Sequence, residues 1–492
     1  HWIALRSPSE SAAPHPEAMP AALLSALVLR VLFVFLVPEV VAQQPGTLQP
    51  EVHPELLIQE CTSAGCVAKT GAVVLDANWR WVNKGGQNCY TNQDTWDPAF
   101  CSDAAACAQT CSVEGADYSG TYGVTSNSES DGVTLNFVTK GTYGNNYGSR
   151  LYVMDGDDTY NMFKLKNREF AMDVDVSNLP CGLNGAVYFV EMDQHGDLDG
   201  QGNAAGAKYG TGYCDAQCPH DIKFMKGEAN LLNWNSTNVP PVGHYGACCA
   251  EMDIWEANSR ATAYTPHPCS QPGFTKCEGT TCGDNAAGER YLGMCDKDGC
   301  DYNNYRMGDT SFFGKGQDFT VDSSKPLTIV TQFLTHDGTD TGDLSEIKRF
   351  YVQDGKVIEN SEATILGPNA GNSVTDELCS KQKAKFGDPD DFAAKGALKS
   401  MGEALDRGMV LVLSLWDDSD VNMLWLDSAW PTDEAPRKPG VLRGPCPGGR
   451  TSEPAYLRQA TPESQVTYSQ IKVGTIGSTF SGTRRMASAE YV

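Results

Sequence analysis

The chain has 492 residues, of which 40% are hydrophobic and 9% aromatic, enough for one large all-β domain or two ordinary domains. It carries 62 acidic and 37 basic side chains, giving a formal net charge of −25. This excess of negative charge argues against nucleic acid or an anionic membrane as a partner, because both would repel the protein. A neutral polysaccharide would not be repelled.

The chain before Gln43 has the features of an exported leader. Met19 is the expected start, residues 23–37 are strongly apolar, and small residues follow. This pattern predicts a secretory signal peptide that is cleaved before Gln43, so that residues 1–42 are removed. A membrane anchor is the alternative, but Arg30 interrupts the apolar stretch.

The 18 cysteines are scattered from Cys61 to Cys446. Their number is even, and no Cys-x-x-Cys pair lies near another with the spacing of a zinc site. Disulfide bonds in an oxidising compartment are therefore favoured, and we expect a secreted, extracellular protein. The spacing alone leaves the pairing open.

Alternation of apolar and other residues predicts β-strands along most of the chain. Phe170, Met172, Val174 and Val176 occupy every second position, as in a strand with one buried face. A hairpin turn is predicted at Asp354-Gly355. Further predicted strands cover 133–138, 151–154, 187–192, 327–334, 349–352, 357–358 and 409–416, and the predicted helices cover 376–385 and 393–405.

Many strands joined by long Gly- and Cys-rich loops predict an all-β fold, a curved antiparallel β-sandwich of the jelly-roll type with a groove on one sheet. The sequence contains neither an internal repeat nor a Pro/Ser/Thr-rich linker. We therefore expect one domain over residues 43–477, a short tail over 478–492, and no carbohydrate-binding module.

The segment 249–259 places three carboxylates, Glu251, Asp253 and Glu256, in an otherwise apolar or aromatic run. Like charges in a partly dry site cannot all ionise freely, so such a cluster is typical of sites that separate pKa values. Glycoside hydrolysis needs this separation, because one carboxylate attacks the sugar while another carboxylic acid keeps its proton.

The spacing of the three acids also predicts local backbone structure. In a regular strand Glu251 and Asp253 share a face, whereas Glu256 has the wrong parity. A β-bulge near Ile254 or Trp255 would return Glu256 to the face of the other two acids. The alternatives are an acidic strand edge or a calcium loop, but the apolar residues between the acids do not suit a calcium loop.

The motif Glu-Met-Asp-Ile-Trp-Glu-Ala-Asn at 251–258 resembles the signature of glycoside hydrolase family 7, the secreted cellobiohydrolases and endoglucanases that cleave cellulose with retention. The similarity extends from about Gln43 to about Gly477 and includes most cysteine and tryptophan positions. It implies a concanavalin-like jelly roll whose long, disulfide-clamped loops form a substrate tunnel or groove, and it implies neither a cofactor nor a metal.

The resemblance also implies a disulfide pattern. The expected bridges are 61–66, 89–111, 101–107, 181–446, 214–249, 218–248, 269–295, 277–282 and 300–379. A tenth bridge that many family members possess is not expected, because both of its positions hold other residues here, one of them Ser112.

The catalytic roles implied by the family are as follows. Glu251 attacks the anomeric carbon, while Glu256 protonates the glycosidic oxygen and later deprotonates water. Asp253 holds Glu251 by a short hydrogen bond, and His267 lies beside Glu256. Retention requires the two glutamates to be about 5–5.5 Å apart. The pKa of Glu256 should be raised by the neighbouring negative charges and by Trp255.

Substrate binding should combine aromatic stacking with polar contacts, because sugar rings have apolar faces and hydroxyl edges. Core packing is the simpler interpretation of each of the nine tryptophans. The resemblance instead assigns Trp79, Trp81, Trp416 and Trp425 to stacking, and the alternation of the first two predicts one face of a strand.

The resemblance implies polar substrate contacts on both sides of the scissile bond. Without it, surface salt bridges and loop hydrogen bonds would be the simpler interpretation. The residues expected on the glycone side are Asn184, Tyr188, Tyr213, Asp215, Gln217 and Lys223. Those expected on the product side are Arg290, Asp298, Asp301, Arg306 and Arg443.

Two features favour a reducing-end cellobiohydrolase over an endoglucanase: the long loop 269–295, and Trp255 where endoglucanases often carry Leu. Ala286, residues 419–420 and a short loop at 233–246 predict a tunnel that is only partly closed. The alternatives are an endo-β-1,4-glucanase of the same family and, in another class, a non-catalytic glucan-binding sandwich. We expect a monomer that binds cellulose and cello-oligosaccharides.

Overall fold

Two large β-sheets face each other across a hydrophobic core in the computed structural model, which describes residues 43–142, 144–198, 203–284, 289–481 and 483–484. The predicted signal peptide, Ala286 and most of the predicted tail lie outside these residues. Within them, no helix is both long and apolar enough to cross a lipid bilayer.

The first sheet has eight strands in the described part of the chain. Its central strands pair antiparallel, and the segment with the three acids lies near one edge. In hydrogen-bonded order the strands are Tyr302–Asn303, Thr262–His267, Glu251–Ala257, Leu183–Val190, Met409–Asp417, Ser149–Met154 and Ala72–Leu75, with Met162–Phe163 also pairing with Met409–Asp417.

The second sheet has ten strands among the described residues. The main path runs Gly65–Lys69, Ile58–Thr62, Gln465–Gly474, Arg168–Asp175, Leu327–Thr335, Leu344–Gln353, Lys356–Glu359 and Thr483–Arg484, with Gly132–Asn136 and Val124–Ser126 joined to it through Gln465–Gly474. The predicted hairpin is confirmed, because Leu344–Gln353 and Lys356–Glu359 pair on either side of Asp354-Gly355.

Alternation along the strands fills the space between the sheets. Phe170, Met172 and Val174 from the ten-stranded sheet meet Val187 and Phe189 from the eight-stranded sheet in one buried cluster. Complete burial of such a side chain contributes about 1.5–3 kcal/mol to folding. The predicted all-β sandwich is therefore confirmed, and its core is built from residues two positions apart.

The far face, which we define as the side of the eight-stranded sheet opposite the sandwich core, has its own buried cluster. Tyr152, Tyr188 and Val412 pack there against Cys214 and Cys249 from the covering segments. Because side chains alternate along each strand, one set points into the sandwich core and the other points towards the loops on the far face.

Smaller elements lie in the connecting segments. The described α-helices are Ala104–Thr110, Asp376–Phe386, Asp391–Ala394, Ala397–Arg407, Leu424–Asp427 and Pro454–Ala460, and the described 3₁₀ turns are Ala77–Trp79, Ala207–Tyr209, Gly279–Cys282, Glu289–Leu292, Thr364–Leu366 and Gly449–Ser452. The remaining strands are Gln44–Pro45, Val82–Lys84, Gln87–Asn88, Ser112–Val113, Val138–Gly141, Gly144–Tyr147, Phe224–Met225, Glu228–Ala229, Gly246–Cys248, Thr275–Cys277, Phe313–Gly314 and Val321–Asp322.

Two predicted elements are corrected by the structure. The single helix expected over 393–405 is two helices, because Gly396 adopts φ 96° between them and interrupts the helical hydrogen bonding. The strand expected over 133–138 ends at Asn136, and a separate strand begins at Val138.

The expected disulfide pattern is confirmed, because all nine bridges are present in the described residues. Cys248 and Cys249 bond to Cys218 and Cys214 immediately before the strand with the three acids. These bridges link the residues just before that strand to the segment 214–218, which covers the far face.

Candidate active site

The strand Glu251–Ala257 carries the three acids on buried positions. It pairs antiparallel with a strand on each side, so its backbone is fixed from both edges. The exposed fraction is 7% for Glu251, 5% for Asp253 and 9% for Glu256. Because so little water reaches these three carboxyl groups, their charges interact strongly with one another.

A β-bulge interrupts this strand between Asp253 and Glu256. Ile254 and Trp255 together oppose a single residue of the neighbouring strand, Tyr264. Both bulge residues consequently pack in the sandwich core, and neither is exposed. The bulge predicted from the spacing of the acids is confirmed.

The hydrogen bonds of Glu251 and Glu256 show on which side of the sheet the bulge places the acids. Glu256 Oε1 accepts a hydrogen bond from Asn184 Nδ2 at 3.0 Å, on the side of the sheet that also carries Tyr188. Glu251 Oε2 accepts one from the Ala216 backbone N–H at 3.0 Å. Without the extra residue, Glu256 would point into the core. With it, all three acids lie on the far face.

Burial raises the pKa of both glutamates. For Glu251 and for Glu256 the largest cause is loss of water around the charged form, and the next is the negative charge of Asp253. The expected rise for Glu256 is therefore present, although Trp255 itself lies on the opposite side of the strand.

His267 supplies a positive charge beside the acids. Its Nε2 lies 3.0 Å from Asp253 Oδ2, and its Nδ1 lies 2.8 Å from the Asp296 carbonyl oxygen. Both ring nitrogens face acceptors, as a protonated imidazole requires. Burial lowers the pKa of His267, but the hydrogen bond and charge of Asp253 outweigh it and raise the pKa to about 9.

Three residues expected on the glycone side form one hydrogen-bonded chain. The Tyr188 and Tyr213 hydroxyls lie 2.9 Å apart, and the Tyr213 hydroxyl donates to Asp215 Oδ2 at 2.6 Å. The Gln217 backbone N–H donates to Asp215 Oδ1 at 2.8 Å. The charge of Asp215 contributes to the raised pKa of Glu251, so this chain reaches the acids.

Lys223 lies further along the same side. Its Nζ donates to the Asn78 carbonyl oxygen at 2.7 Å and lies 4.5 Å from the centre of the Tyr90 ring. Burial lowers the pKa of Lys223 to about 8. Asn78 immediately precedes Trp79, so the structure brings the lysine next to one of the tryptophans expected to stack on sugar.

The residues expected on the product side form two ion-pair groups. Arg306 contacts Asp301 and also Asp388, while Arg443 Nη1 lies 3.5 Å from Asp301 Oδ2. Burial raises the pKa of Asp301, but the two arginines outweigh it, and the net pKa is lowered. In the second group, Arg290 Nε donates to Asp298 Oδ1 at 2.8 Å.

Trp416 and Trp425, which were expected to stack on sugar, lie side by side. Their rings stack with centres 6.3 Å apart and an angle of 26° between planes. Both are partly exposed and pack beside Ala263, which pairs with Glu256 across the sheet. They therefore offer an aromatic surface adjacent to the acids.

The strand expected at Trp79 and Trp81 is wrong. Trp79 ends a 3₁₀ turn, which Asp76 caps by accepting a hydrogen bond from Asn78 N–H at 2.7 Å. The Arg80 side chain is buried in an ion pair with Glu51, and this contact anchors the turn. Trp81 is 39% exposed. Trp79 is partly buried against the hydrophobic core, so the two tryptophans do not share one face of a strand.

The family of the chain follows from comparison with known proteins. The family model for glycosyl hydrolase family 7 matches residues 45–480, which include every element of the site. The chain belongs to glycosyl hydrolase family 7. The similarity expected from the acid motif is thereby confirmed over most of the chain.

Solved structures of family 7 enzymes resemble the chain closely. A cellobiohydrolase from Daphnia pulex is 49% identical, covers 89% of this chain and 100% of its own, and has a TM-score of 0.84. A cellobiohydrolase from Melanocarpus albomyces complexed with cellotetraose is 44% identical, with 89% and 99% covered and a TM-score of 0.83. The Humicola insolens endocellulase EGI is 37% identical, with 89% and 100% covered and a TM-score of 0.74.

The loops of this family 7 chain are tied down by disulfides. The loop 269–295 is closed by Cys269–Cys295 and carries the inner Cys277–Cys282 ring, whose strand Thr275–Cys277 pairs with Gly246–Cys248. Ser419 and Asp420, where the tunnel was expected to be less closed, are exposed.

Sequence reasoning missed Arg150 in the site. Its guanidinium lies 3.4 Å from the centre of the Tyr213 ring and 5.3 Å from that of Trp79, and it pairs with Asp76 at 2.5 Å. Arg150 occupies the same parity as Tyr152, which packs on the far face. Extending the predicted strand 151–154 by two residues would have found it.

Metal binding is not supported by the donor set. Among the described residues, every His/Cys/Asp/Glu group compact enough to share an ion includes a cysteine that is in a disulfide bond. Such a sulfur is not available as the thiolate that binds metals.

Proposed function

We propose that this family 7 protein is a retaining cellobiohydrolase that hydrolyses β-1,4-glucosidic bonds of cellulose and releases cellobiose from reducing chain ends. The observation that carries this proposal is the bulge, which places Glu251, Asp253 and Glu256 on one side of the strand with the pKa of both glutamates raised. A double displacement needs one nucleophile and one proton donor from such a pair.

In the first step, Glu256 donates its proton to the glycosidic oxygen as Glu251 attacks the anomeric carbon. The bond between that carbon and the leaving oxygen breaks, and a glycosyl ester forms on Glu251. The raised pKa of Glu256 favours the protonated form that a proton donor needs. The Ala216 N–H supports the charged form of Glu251.

In the second step, Glu256 takes a proton from water, and the water oxygen attacks the anomeric carbon. The ester bond breaks, Glu251 leaves as a carboxylate, and the configuration is retained. Asp253, whose Oδ2 lies 3.0 Å from His267 Nε2, is the carboxyl group that adjoins both glutamates. We propose that the short hydrogen bond between Asp253 and Glu251 forms during this cycle.

We propose that the glucan lies along the far face, from Trp79 and Trp81 to Trp416 and Trp425. The stacked product-side pair and the arginines around Asp301 suit a disaccharide, since they combine an aromatic surface with charged hydrogen-bond donors. The Melanocarpus relative was solved with cellotetraose, which supports cello-oligosaccharides as ligands.

An endoglucanase is the second candidate, because endocellulases are among the similar structures. Their identity is 35–38%, compared with 44–49% for the cellobiohydrolases. The product profile on cellulose separates the two activities. Cellobiose as the dominant early product supports the exo mode, whereas a ladder of long oligomers contradicts it.

We further propose that the protein is secreted and that residues 43–477 act as a single catalytic domain. The nine disulfides support export to an oxidising compartment. The single domain is supported by the compact unit to which all described residues belong. A monomeric mass in solution is expected.

Replacing the nucleophile tests the proposed function. Glu251→Gln should lower kcat/KM on an aryl cellobioside by about 10⁴-fold or more, because the glycosyl ester can no longer form. Glu403→Gln, an exposed glutamate on the helix Ala397–Arg407, is the control and should retain full activity. Cellulose binding with full hydrolysis in the Glu251 variant would rule out the mechanism, while binding without hydrolysis in the unmodified protein would favour the non-catalytic alternative.

A further inference from the structure

Arg349 is a positively charged side chain inside the sandwich core. It lies on the strand Leu344–Gln353 of the ten-stranded sheet, two positions from Ile347 and from Tyr351, which pack in the core. Only 1% of its surface is exposed, and none of the described residues forms an ion pair with it. Burying a charge without a counter-ion costs several kcal/mol, so a purely apolar side chain would be more stable here.

The guanidinium reaches across the core to the bulge of the acid strand. Arg349 Nη2 donates a hydrogen bond to the carbonyl oxygen of Ile254, the first bulge residue. The guanidinium carbon lies 4.6 Å from the centre of the Tyr264 ring, within cation–π distance. Tyr264 is the residue that opposes the bulge. One side chain therefore contacts both strands where the register slips.

The contact lies where a bulge needs an additional hydrogen-bond donor. A bulge removes backbone groups from the regular ladder of hydrogen bonds, and a buried carbonyl without a donor is destabilising. Arg349 supplies a charged donor at that carbonyl. Burial of the guanidinium also lowers the pKa of Arg349, although Tyr351 and Tyr264 partly oppose this.

We propose that Arg349 is a positioning residue that holds the bulge in the conformation that directs Glu256 at the glycosidic oxygen. It does not touch substrate, and it acts on the acid/base through two residues of backbone. This inference rests on the proposed role of Glu256. If the carbonyl of Ile254 loses its donor, the bulge relaxes, and the carboxyl of Glu256 moves away from the leaving oxygen before the nucleophile is affected.

The leaving group of the substrate separates this role from simple stabilisation. A 2,4-dinitrophenyl leaving group departs without protonation, whereas an unsubstituted phenyl leaving group needs the acid. With Arg349→Met, kcat/KM on phenyl β-cellobioside should fall by about 10²-fold, and on the dinitrophenyl substrate by less than about tenfold. Arg349→Lys, which keeps a charged donor, should restore part of the loss.

Ile347→Ala is the matched control, because it damages the same strand and the same face of the core two positions from Arg349 and leaves the hydrogen bond to Ile254 in place. It should lower Tm yet change kcat/KM on both substrates by the same small factor. If the methionine variant does not fold, Arg349→Gln, which is also too short to reach the carbonyl, should give the same selective loss.

Two results would overturn the inference. One is an equal loss on both substrates in the folded Arg349 variants, and the other is a selective loss in Ile347→Ala. Glu256→Gln, assayed on the same two substrates, shows whether the acid role of Glu256 or only the role of Arg349 is wrong. If that variant lacks the selective loss, the acid role of Glu256 is wrong. If it shows the loss and Arg349→Met does not, only the role of Arg349 is wrong.

Discussion

Two clusters of buried charged side chains lie on the far face, and the pKa values of their carboxyl groups shift in opposite directions. Glu251, Asp253 and Glu256 are like charges, and the pKa of both glutamates is raised. Asp301 is equally buried, yet its pKa is lowered because Arg306 and Arg443 adjoin it.

The comparison shows that burial alone does not determine how an acid titrates. Removal of water disfavours the charge in both places, and the sign of the neighbouring charge decides the result. Burial therefore favours the protonated form of the two glutamates, whereas the adjacent arginines favour the charged form of Asp301. The following variants test the two sites, and Asp301→Asn, Asp253→Asn and His267→Gln each remove one of the charges.

Asp301→Asn should have the largest effect, because it removes the carboxylate that both Arg306 and Arg443 contact. Removing one partner of a buried ion pair costs about 3–5 kcal/mol in unfolding free energy, measured by chemical denaturation at pH 7. The charge of Asp301 stabilises the fold above the ordinary carboxyl pKa and ceases to do so as pH falls through its lowered pKa. The difference between the proteins should therefore shrink in acid.

Glu377→Gln is the control for this experiment, since it breaks the exposed pair with Lys381. Its unfolding free energy should change by less than about 1 kcal/mol. A similar small change for Asp301→Asn would show that the arginines do not depend on that carboxylate.

Asp253→Asn tests the opposite site by removing the charge that raises the pKa of Glu256. We expect kcat/KM on an aryl cellobioside to fall by about 10²-fold at the optimum. The alkaline limb of the pH profile should move to lower pH, because Glu256 then loses its proton more readily. An alkaline limb that stays in place would contradict the electrostatic coupling.

Trp425→Ala should weaken product binding at the arginine side. Loss of one aromatic surface is worth about 1–1.5 kcal/mol, so the inhibition constant for cellobiose should rise by about tenfold. Trp81→Ala, at the other end of the face, is the matched variant and should leave inhibition by cellobiose unchanged while slowing the attack on cellulose. Equal effects of the two variants would refute the assignment of sides.

His267→Gln should have the smallest effect, and its sign is opposite to that of Asp253→Asn. The cation lowers the pKa of Glu256, so its removal should raise that pKa further. The alkaline limb of kcat/KM should move to higher pH, by less than about one unit. A shift towards lower pH would mean that His267 acts mainly through Asp253.

Local spacing determined much of the fold and the site. The parity of Glu251, Asp253 and Glu256 required one extra residue, and the bulge appears between the last two. Alternation over 170–176 and 327–334 placed strands within one or two residues of their observed ends. These features depend on neighbours in the sequence, and the two-residue period of a strand is enough to predict them.

Other features depend on residues that are distant in the sequence. The alternation of Trp79 and Trp81 resembles that of a strand. The segment instead forms a turn, which the ion pair between Arg80 and Glu51 stabilises. The lowered pKa of Asp301 depends first on Arg306, which is near it in the sequence, and then on Arg443, which is far along the chain.

The sequence by itself determined that a carboxylate cluster lies on a bulged strand of a disulfide-rich β-sandwich, because motif, parity and cysteine number are local or countable properties. Only the tertiary structure decided which charges face each other and that Arg349 reaches the carbonyl of Ile254, 95 positions away. Such contacts arise when two sheets pack, and the energy of a buried charge depends on what packing places beside it.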